Sequence, residues 1–383
     1  MQQAQIVING GGMVGASLAL ALSQAGHEVV LFESRPPQEY QPNQALDLRV
    51  SSIHLGSETW LRSLGAWQRL EQMRLCPYRH LQVGEEQHQL HFAARDLNQS
   101  HLGHIVENSL LQLALWQGFD ANVRVISDQQ IKSLWQQPRL TLELSGGGRM
   151  QPDLLIAADG ANSSVRQLAG IGAHQSQYQQ ACLVAMIHTP YSQQDITWQQ
   201  FYPTGPRAFL PLPGAFASLV WYDQQDRIRQ LAQLEPEALL PELQQAFPKR
   251  AQSLAGASCL ARAWFPLQRL HAHRYAKGQV VLVGDAAHAI NPLAGQGVNL
   301  GFADAQALLE LILNPLGHLD TSRLWQYQLR RWPQNQLMMS AMDLCYYGFS
   351  NELSPIKLAR TQALSLLNGL TPVKNLIARY ASG

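Results

Sequence analysis

The amino-terminal segment places the strictest limit on the fold of this chain. An apolar strand is predicted over Ile6–Asn9, a glycine-rich turn follows, and the apolar run 16–25 predicts a helix. A second predicted strand, residues 29–33, ends in the acid Glu33. This order predicts a parallel βαβ unit that seats a pyrophosphate on the helix N-terminus and a ribose on the acid, the alternative being a glycine turn without a ligand. The residues of this predicted dinucleotide site are Gly10, Gly12, Gly15 and Glu33.

A second strand-turn-helix segment lies near residue 290. An apolar strand over 280–283 leads to Asp285, a Pro- and Gly-rich turn follows, and a helix runs towards Leu313. A carboxylate at a strand end can accept hydrogen bonds from two sugar-alcohol hydroxyls, while Gly295 and Gly297 allow backbone N–H groups to approach a flat ligand. The helix N-terminus would stabilise negative charge that develops on that ligand. The alternative is an ordinary turn whose glycines serve only the backbone.

A third strand ends in an acid in the middle of the chain. The apolar run after Asp153 leads to Asp159, and Ser163 or Ser164 is predicted to cap a short helix that carries Arg166. Asp159 either folds over a bound pyrophosphate or is a turn residue after a strand. Because three strand ends of this type occur in one chain, we favour the cofactor role.

Taken in this order, the three motifs resemble the class A flavin-dependent monooxygenases of the para-hydroxybenzoate hydroxylase type. The resemblance implies a Rossmann-like FAD-binding domain in which the first motif holds the ADP half and Asp285 holds the ribityl chain. It further implies that Asp159 belongs to the cofactor site and that Arg49 lies near the flavin and pyrophosphate. The segment that matches the lining of the isoalloxazine ring contains Pro292, Gly295, Gly297, Val298 and Asn299.

Three substrate-side segments narrow the resemblance to the ubiquinone-biosynthesis hydroxylases, closest to the demethoxyubiquinol hydroxylase subfamily. These segments are 198–212, 217–223 and 342–351, and the likeness covers essentially the whole chain. It implies hydroxylation of a polyprenylated benzoquinol through a flavin C4a-hydroperoxide, with molecular oxygen as co-substrate and NAD(P)H as electron donor. The alternatives are another ring position in the same pathway, a flavin dehydrogenase or reductase without oxygen insertion, and a non-catalytic member of a biosynthetic assembly. One departure is Glu107, which stands where many class A enzymes have an arginine.

The predicted substrate strands carry residues suited to an apolar pocket for the prenylated ring. Arg207 is a candidate for polarising a ring oxygen, or else an arginine at an exposed strand edge. His288 is a candidate proton relay near the flavin, or else a histidine bonded to local backbone. His271 and His273 have the spacing of a metal pair but no carboxylate or cysteine beside them, so no metal site is predicted. The pocket candidates are Phe201, Phe209, Leu210, Pro211, Trp221 and Tyr222.

The order of predicted elements indicates an α/β chain with an interleaved α+β substrate domain. We assign residues 1–75, 101–180 and 272–330 to the FAD-binding domain, 76–100 and 181–271 to a β-sheet substrate domain, and 331–383 to a C-terminal helical segment. Helical regions are predicted over 51–73 and 105–119, a strand pair over 76–93, and a hairpin over 140–150. Beyond residue 355, apolar positions at helical spacing beside basic residues predict packing against a domain or subunit, or weak contact with anionic lipid.

Composition limits the remaining classes of function. With 383 residues, 46% of them hydrophobic and 14% charged, the chain can form large cores, and its net charge of +1 gives no general attraction to nucleic acid. The four cysteines are widely spaced and indicate reduced thiols. No apolar stretch reaches the roughly 18 residues of a membrane span. These features predict a cytoplasmic enzyme, peripheral at the inner face of the membrane if it meets lipid, whose candidate partners are a prenylated quinol, further copies of itself and a ubiquinone-biosynthesis assembly.

Overall fold

A six-stranded sheet forms the centre of the computed structural model, which describes residues 2–3, 5–85, 88–247, 254–290 and 297–350. All its strand pairs are parallel except the one at the edge that joins the first two strands in spatial order. Its central strands are almost entirely buried, because they pack in one core with helices and with residues of a separate four-stranded sheet. With elements numbered in chain order, the strands lie in the spatial order β19 (Ala276–Lys277), β20 (Val280–Leu282), β13 (Leu154–Ala157), β2 (Ile6–Asn9), β3 (Val29–Phe32) and β9 (Val123–Ile126).

The strand order of this sheet brings the three predicted motifs together. β20, β13 and β2 are neighbours and run parallel, with Ala157 in register with both Asn9 and Leu282. Their carboxyl ends, which lead into the Gly10 turn, Asp159 and Asp285, therefore meet at one edge of the sheet. Open α/β sheets bind ligands at this edge. The predicted βαβ unit is confirmed, with α1 at Met13–Gln24 and the later helix, α8, at Gly297–Ile312.

A second sheet has eight strands and receives chain from three separate stretches. Its pairs are antiparallel except β15–β6, and its strands lie in the spatial order β21 (His288–Ala289), β18 (Ser258–Ala272), β14 (Ala173–His188), β17 (Phe216–Gln224), β16 (Arg207–Pro211), β15 (Ile196–Gln200), β6 (His80–Gly84) and β7 (Gln89–Ala93). Two helices pack on one face of this sheet, α6 (Gln225–Gln233) and α7 (Pro236–Ala246). The chain therefore interleaves the two sheets, whereas the exact domain boundaries stay a prediction.

A three-stranded sheet corrects two of the helix predictions. The predicted helix over 51–73 begins only at Leu55, because Val50–His54 forms a strand, β4. The predicted helix over 105–119 begins at Asn108, because Gly103–Glu107 forms a strand, β8, that pairs with β4. A third strand, β5 (Cys76–Tyr78), pairs with β8, so 76–93 holds three strands in two sheets instead of one pair.

Smaller elements complete the described chain. The predicted hairpin over 140–150 is confirmed and lies in a four-stranded sheet. Helix α9 ends the described region, and the amphipathic pattern predicted beyond residue 355 lies outside the described residues. Among the helices that the structure describes, none is long and apolar enough to cross a membrane. The remaining elements are β1 (Gln2–Gln3), β10 (Ile131–Trp135), β11 (Thr141–Leu144), β12 (Arg149–Gln151), α2 (Leu55–Ser63), α3 (Ala66–Glu71), α4 (Asn108–Trp116), α5 (Ser164–Leu168) and α9 (Leu324–Ser350).

Candidate active site

The glycine-rich turn between β2 and α1 is closed on one side and open on the other. Gly10 has a φ of 103°, and a Cβ there would overlap the carbonyl oxygen of Ala158. A Cβ at Gly15 would overlap the carbonyl oxygen of Gly10, so both positions require glycine. Gly12, the N-cap of α1, has no described atom within 4 Å of where a Cβ would lie. The N-terminus of α1 therefore faces free space that an anion can enter.

Glu33 and helix α4 fix the backbone of this turn. One carboxylate oxygen of Glu33 accepts a hydrogen bond from the Gly11 N–H at 2.8 Å, and the other accepts from the Arg35 N–H at 2.8 Å. The Gly11 carbonyl accepts from Gln112 Nε2 and Trp116 Nε1, both at 2.8 Å. Each Glu33 oxygen keeps acceptor capacity for a ribose hydroxyl. Gln112 and Trp116 have no sequence signature beyond an apolar helix, so the motifs did not reveal them.

Asp159, at the end of β13, uses its carboxylate within the protein. It accepts hydrogen bonds from Asn9 Nδ2 at 2.9 Å, from Ser163 Oγ at 2.5 Å, and from Ser164 through its N–H at 2.8 Å and its hydroxyl at 3.1 Å. Ser163 in turn caps α5, as one of the two predicted alternatives has it. Of the two interpretations of Asp159, the contacts favour a residue that shapes the loop. The adjacent Gly160, with φ 79°, faces open space.

Arg166 joins the Asp159 loop to the Asp285 turn. It is 3% exposed, and its guanidinium donates to the carbonyl oxygens of Ala286 at 2.9 Å and Ala161 at 2.8 Å. Burial lowers the pKa of this side chain, opposed by the charge of Asp159. The two loops are therefore held in one fixed relation by a single buried cation.

Asp285 presents an accessible carboxylate at the edge where the three motifs meet. Protein nevertheless surrounds this side chain, and the desolvation raises its pKa against the opposing charges of His288 and Arg49. The predicted cofactor residues Arg49 and Asp285 are thus close enough to interact electrostatically. No hydrogen bond from a described residue reaches the carboxylate, so with respect to those residues it keeps its acceptor capacity for a ligand.

Asp304, on α8, is a buried acceptor that holds the Asp285 turn from behind. Its Oδ2 accepts from the Gly284 N–H at 3.1 Å and lies 2.5 Å from His288 Nε2. Its Oδ1 accepts from Arg331 Nε at 2.7 Å and Asn335 Nδ2 at 3.1 Å. Although burial works to raise it, the neighbouring His288 and Arg331 lower the pKa of Asp304 to about 2. The sequence motifs did not identify this residue.

The contacts of His288 differ from both alternatives predicted for it. The ring is 1% exposed and bonded to the Asp304 carboxylate, whereas the predicted alternatives were a proton relay and a bond to local backbone. Because both partners are buried, the pair braces the turn between β20 and β21 and has no route to solvent through its own surface. His288 belongs to the support of the site.

Three of the five residues matched to the flavin ring, Gly297, Val298 and Asn299, lie in the first turn of α8. Pro292 and Gly295 lie outside the described residues. Gly297 begins α8, with no described atom within 4 Å of where a Cβ would lie, and Val298 packs partly buried beside α1. Among the described residues, nothing therefore prevents close approach of a ligand to the helix N-terminus.

Asn299, the fifth of these residues, ties α8 to β4. Its side chain is 2% exposed, donates to the Ser52 carbonyl at 2.8 Å and accepts from the His54 N–H at 3.3 Å. Because β4 directly follows Arg49, this link sets the distance between Arg49 and the start of α8. Asn299 thereby connects two predicted parts of the cofactor site.

Glu107, the departure from the family pattern, anchors the segment that carries Arg49. Its carboxylate accepts from Arg74 Nε and Nη2, both at 2.9 Å, and from the Asp47 N–H at 2.7 Å. It is 2% exposed, and burial raises its pKa against these contacts. An acid here can pair with Arg74, which explains its use at this position.

The six pocket candidates lie on both faces of the eight-stranded sheet, which corrects part of the prediction. Side chains alternate along a strand, so Phe209 and Pro211 of β16 lie on one face of the sheet. Trp221 of the neighbouring strand β17 lies on the same face, which α6 and α7 cover. Phe209 is 2% and Trp221 4% exposed in the core with those helices. Phe209 and Trp221 pack the sheet against these helices, and none of the three residues lines the opposite face. The helices over 225–246 were not predicted, and this omission caused the error.

Arg207 shares the helix-covered face and corrects both of its predicted roles. Its guanidinium lies 4.0 Å from the ring centroid of Tyr202 and 5.1 Å from that of Trp221, and it donates to the Ala246 carbonyl at 2.5 Å. Burial lowers its pKa. It is neither an exposed strand-edge residue nor directed to the edge where the three motifs meet. It attaches α7 to the sheet.

The opposite face of the sheet is apolar and lies against the Arg49 segment. Leu210 packs there with Met186 and Phe216, and the same cluster includes Leu48 and Val50 on either side of Arg49. This continuity joins the sheet face to the predicted flavin edge. The face is therefore the candidate pocket for an apolar ring.

Helix α9 closes one border of this face. Phe201 stacks on Phe349 with ring centroids 4.0 Å apart, and Tyr346 packs in the same cluster. Tyr222 lies on the same side of the sheet but is 3% exposed and packs against Cys182. Phe201 and Leu210 thus border the candidate pocket, whereas Tyr222 lies within its wall.

Both ring nitrogens of His271, one of the two histidines with the spacing of a metal pair, lie within hydrogen-bond distance of protein groups. His271 Nδ1 lies 2.8 Å from Gln336 Oε1 and Nε2 lies 2.9 Å from the Tyr275 hydroxyl. In a separate cluster, Glu58, His101 and His104 have donor atoms within 4.8 Å of one another, as at a metal site. Arg62 already binds the second oxygen of that carboxylate at 2.9 Å. His101, His104 and Arg62 together hold the pKa of Glu58 well below its usual range despite burial.

The edge described above fits FAD on three observations. Gly12, Gly160 and Gly297 have no described atom within 4 Å of where a Cβ would lie, so the described backbone there can approach a ligand. Asp285 offers a carboxylate at the same edge, near the positive charge of Arg49. The residues on either side of Arg49 pack against an apolar face of the second sheet. A long, partly anionic cofactor with a flat apolar ring matches that distribution.

Comparison with known proteins gives the same family. The family model described as FAD binding domain matches residues 3–341. The chain is 42% identical over 390 residues to the 3-demethoxyubiquinol 3-hydroxylase of Escherichia coli (strain K12), covering 100% of this chain and 99% of that protein. It is 34% identical over 431 residues to the mitochondrial ubiquinone biosynthesis monooxygenase COQ6 of Xenopus tropicalis, covering 98% and 93%. Its fold resembles a crystal structure of Klebsiella pneumoniae HpxO complexed with FAD, with a TM-score of 0.76 at 17% identity and 99% of each chain covered.

These matches confirm the family and the fold class that the three motifs predict. Full-length identity above 30% to two ubiquinone-pathway enzymes also confirms the narrower resemblance carried by the substrate-side segments. The chain belongs to the FAD-dependent monooxygenases of ubiquinone biosynthesis.

Proposed function

We propose that this chain hydroxylates the ring of a polyprenylated benzoquinol of the demethoxyubiquinol type. FAD is its cofactor, molecular oxygen its co-substrate and NADH or NADPH its electron donor. The observation that carries the proposal is the identity over the whole chain to a protein named 3-demethoxyubiquinol 3-hydroxylase. Relatives named ubiquinone biosynthesis monooxygenase COQ6 and ubiquinone hydroxylase UbiL are less similar, at 34% and 32% identity.

The apolar face of the eight-stranded sheet supports this substrate class. Leu210, Phe216 and Met186 form a surface without charged side chains, and Phe201 with Phe349 extends it towards α9. A prenylated quinol is a flat ring with a long apolar chain, so its transfer from water to such a surface is favourable. We propose that the ring lies against Leu210 and the chain leaves past Phe201.

The residues of the cofactor edge have proposed roles that follow from their positions. We assign the pyrophosphate to the N-terminus of α1 at Gly12, the adenosine ribose to Glu33, and the ribityl chain to Asp285 with Arg49 nearby. Pro292, Gly295 and Gly297 are proposed to lie along the flavin ring. When bound, FAD stores two electrons and activates molecular oxygen so that one oxygen atom reaches the substrate ring.

The protein's own part in the chemistry is to position the ring and to exclude water. The sheet face offers apolar side chains, and an electron-rich quinol needs no metal and no nucleophilic side chain for this reaction. Asp304, His288 and Arg166 act by holding the cofactor turns and make no proposed contact with substrate. We also propose that the two large sheets mark the two domains, with boundaries near those predicted from the sequence.

The direct test follows labelled oxygen into the product. Purified FAD-loaded protein is given a series of prenylated benzoquinols with NADH or NADPH under ¹⁸O₂, and mass spectrometry locates the label. We expect one labelled oxygen on one ring carbon of the demethoxyubiquinol-type substrate. Oxidised or reduced product without label would favour a dehydrogenase or reductase, and no turnover with any quinol would reject the proposed substrate.

Two adjacent residues provide a matched control for the proposed pocket. Leu210→Ala changes the face assigned to the substrate, so we expect a KM for the quinol that rises about tenfold, the effect of roughly 1.4 kcal/mol of lost apolar contact. Phe209→Ala changes the opposite face, so we expect lower stability with an unchanged KM. Equal effects of the two substitutions on KM would reject this assignment of faces.

A further inference from the structure

Helix α9 carries a row of large apolar side chains that lie in solvent. Trp325, Leu329, Leu337, Leu344 and Tyr347 are 59%, 63%, 64%, 74% and 63% exposed. Their spacings of four, eight, seven and three residues keep them on one side of a helix. We call these five residues the outer stripe. Contiguous exposed apolar surface of this kind usually marks an interaction site.

Charge is nearly absent around the outer stripe. Among the exposed residues of α9 that the structure describes, Arg330 alone is charged, and it pairs with Glu310 at 2.6 Å. Pro333, Ser340 and Ala341 are the small exposed residues between the leucines. Small residues between large ones allow another helix to approach to about 8–10 Å. The surface therefore suits a neutral apolar helix better than a charged partner.

The order of residues along the outer stripe is close to symmetric about Leu337. Leu329 and Leu344 lie eight residues before and seven residues after it, and Trp325 and Tyr347 lie twelve before and ten after. An antiparallel copy of the same helix, with Leu337 near the axis, would place leucine opposite leucine and tryptophan opposite tyrosine. The offsets of one and two residues correspond to only about 1.5–3 Å along a helix. A two-fold interface requires this kind of self-complementarity.

We propose that the outer stripe is the two-fold interface of a homodimer and that its occupant is the outer stripe of a second copy of this chain. Five large side chains exposed by about two thirds offer on the order of 600 Å² per copy, close to the ~800 Å² per partner of a standard interface. The inner side of the same helix holds Arg331 and Asn335 against Asp304. Dimerisation would therefore steady the helix that supports the cofactor turn.

The test measures association of the FAD-loaded full-length chain by sedimentation velocity over a range of concentrations. We expect a dimer, and we expect Leu337→Glu and Leu337→Arg each to raise its dissociation constant at least tenfold, because each places two like charges across the axis. An equimolar mixture of the two variants restores the dimer, since the facing charges are then opposite. Leu316→Glu, at an 80% exposed position outside α9, is the matched control and leaves association unchanged.

Four results would overturn the proposal. The first is a wild-type chain that stays monomeric at every concentration, and the second is a dimer that both Leu337 variants retain. The third is an equimolar mixture of the two variants that stays monomeric. The fourth is a monomer that binds phospholipid vesicles through the outer stripe and no longer binds them after Leu337→Glu. Because Leu337 is mostly exposed, its substitution does not disturb the core. Unchanged FAD absorbance and melting temperature verify that each variant is folded.

Discussion

Two acids at the ends of neighbouring strands, Asp159 after β13 and Asp285 after β20, have opposite surroundings. Asp159 accepts hydrogen bonds from Asn9, Ser163 and Ser164. Asp285 accepts none from any described group, and desolvation raises the pKa of its accessible carboxylate. Similar sequence signatures thus produce one carboxylate that shapes a loop and one that is available to a ligand.

The residues after each acid explain this difference. Asp159 is followed by a short helix whose serine hydroxyls and first N–H groups turn back to it, while Ser163 caps the helix. At the Asp285 turn, the nearby donors Gly284 N–H and His288 bind Asp304 instead. The buried Asp304 therefore takes these donors, and Asp285 keeps its acceptor capacity with respect to the described residues. The comparison predicts that substitutions of Asp304, Asp159 and Asp285 have different effects on stability and on FAD affinity.

The largest effect is expected for Asp304→Ala. It leaves Arg331 and His288 buried without their partner, so we expect the free energy of unfolding to fall by about 4 kcal/mol. The pKa of Asp304 is lowered to about 2 in the folded protein, whereas it is ~3.9 in the unfolded chain. The ionised carboxylate therefore stabilises the folded protein fully when the pH is above the unfolded-state pKa, and this contribution is lost as the pH falls towards 2. Urea unfolding of wild type and variant at pH 7 and pH 2.5 measures both effects. An unchanged midpoint would contradict the supporting role of Asp304.

A smaller effect is expected for Asp159→Ala. The substitution removes the acceptor for Asn9 and for the start of α5, so we expect a loss of about 2 kcal/mol in stability. FAD affinity should change less than tenfold, because the carboxylate makes no proposed contact with the cofactor. Thermal unfolding and FAD titration of the same preparation check this. FAD loss without any loss of stability would reverse the assignment.

The smallest effect is expected for the pH dependence of FAD binding, which tests the role of Asp285 in this comparison. A ligand that donates hydrogen bonds to Asp285 favours the ionised carboxylate, whose pKa is raised in the FAD-free protein. FAD affinity should therefore be full above that pKa and fall as the pH drops through it, by at most about tenfold per pH unit. Asp285→Asn should remove this dependence. The same slope in wild type and variant would assign it to another group.

The cofactor edge was predictable because its signals are local. A strand, a glycine turn, a helix and an acid within about 30 residues define a βαβ unit, and parallel strands then bring Gly10, Asp159 and Asp285 to one edge. The residues that support this edge have no local signature. Asp304 is one of two acids in a mainly apolar helix, and Arg331 and Asn335 contact it from the following helix.

The substrate side was less predictable because alternation does not reveal which face is covered. Phe209 and Leu210 are adjacent apolar residues on one strand, and only the helices over 225–246 decide that the first is core. Those helices carry Ile228, Leu231, Leu239 and Leu243, whose spacing is a usable helical signal. The β4–β8 pair was also missed, because its strands lie about 50 residues apart and each merges into a helix.

Titration of FAD-free Asp285→Ala with FAD, beside wild type and Asp159→Ala, tests the central claim most directly. Asp285 is assigned to two ribityl hydroxyls, and the loss of two hydrogen bonds to a charged group should weaken FAD binding at least about 100-fold. We expect this loss with an unchanged or higher melting temperature for the FAD-free protein, because a desolvated carboxylate has been removed. Wild-type FAD affinity in Asp285→Ala would contradict the proposal that this carboxylate binds the cofactor.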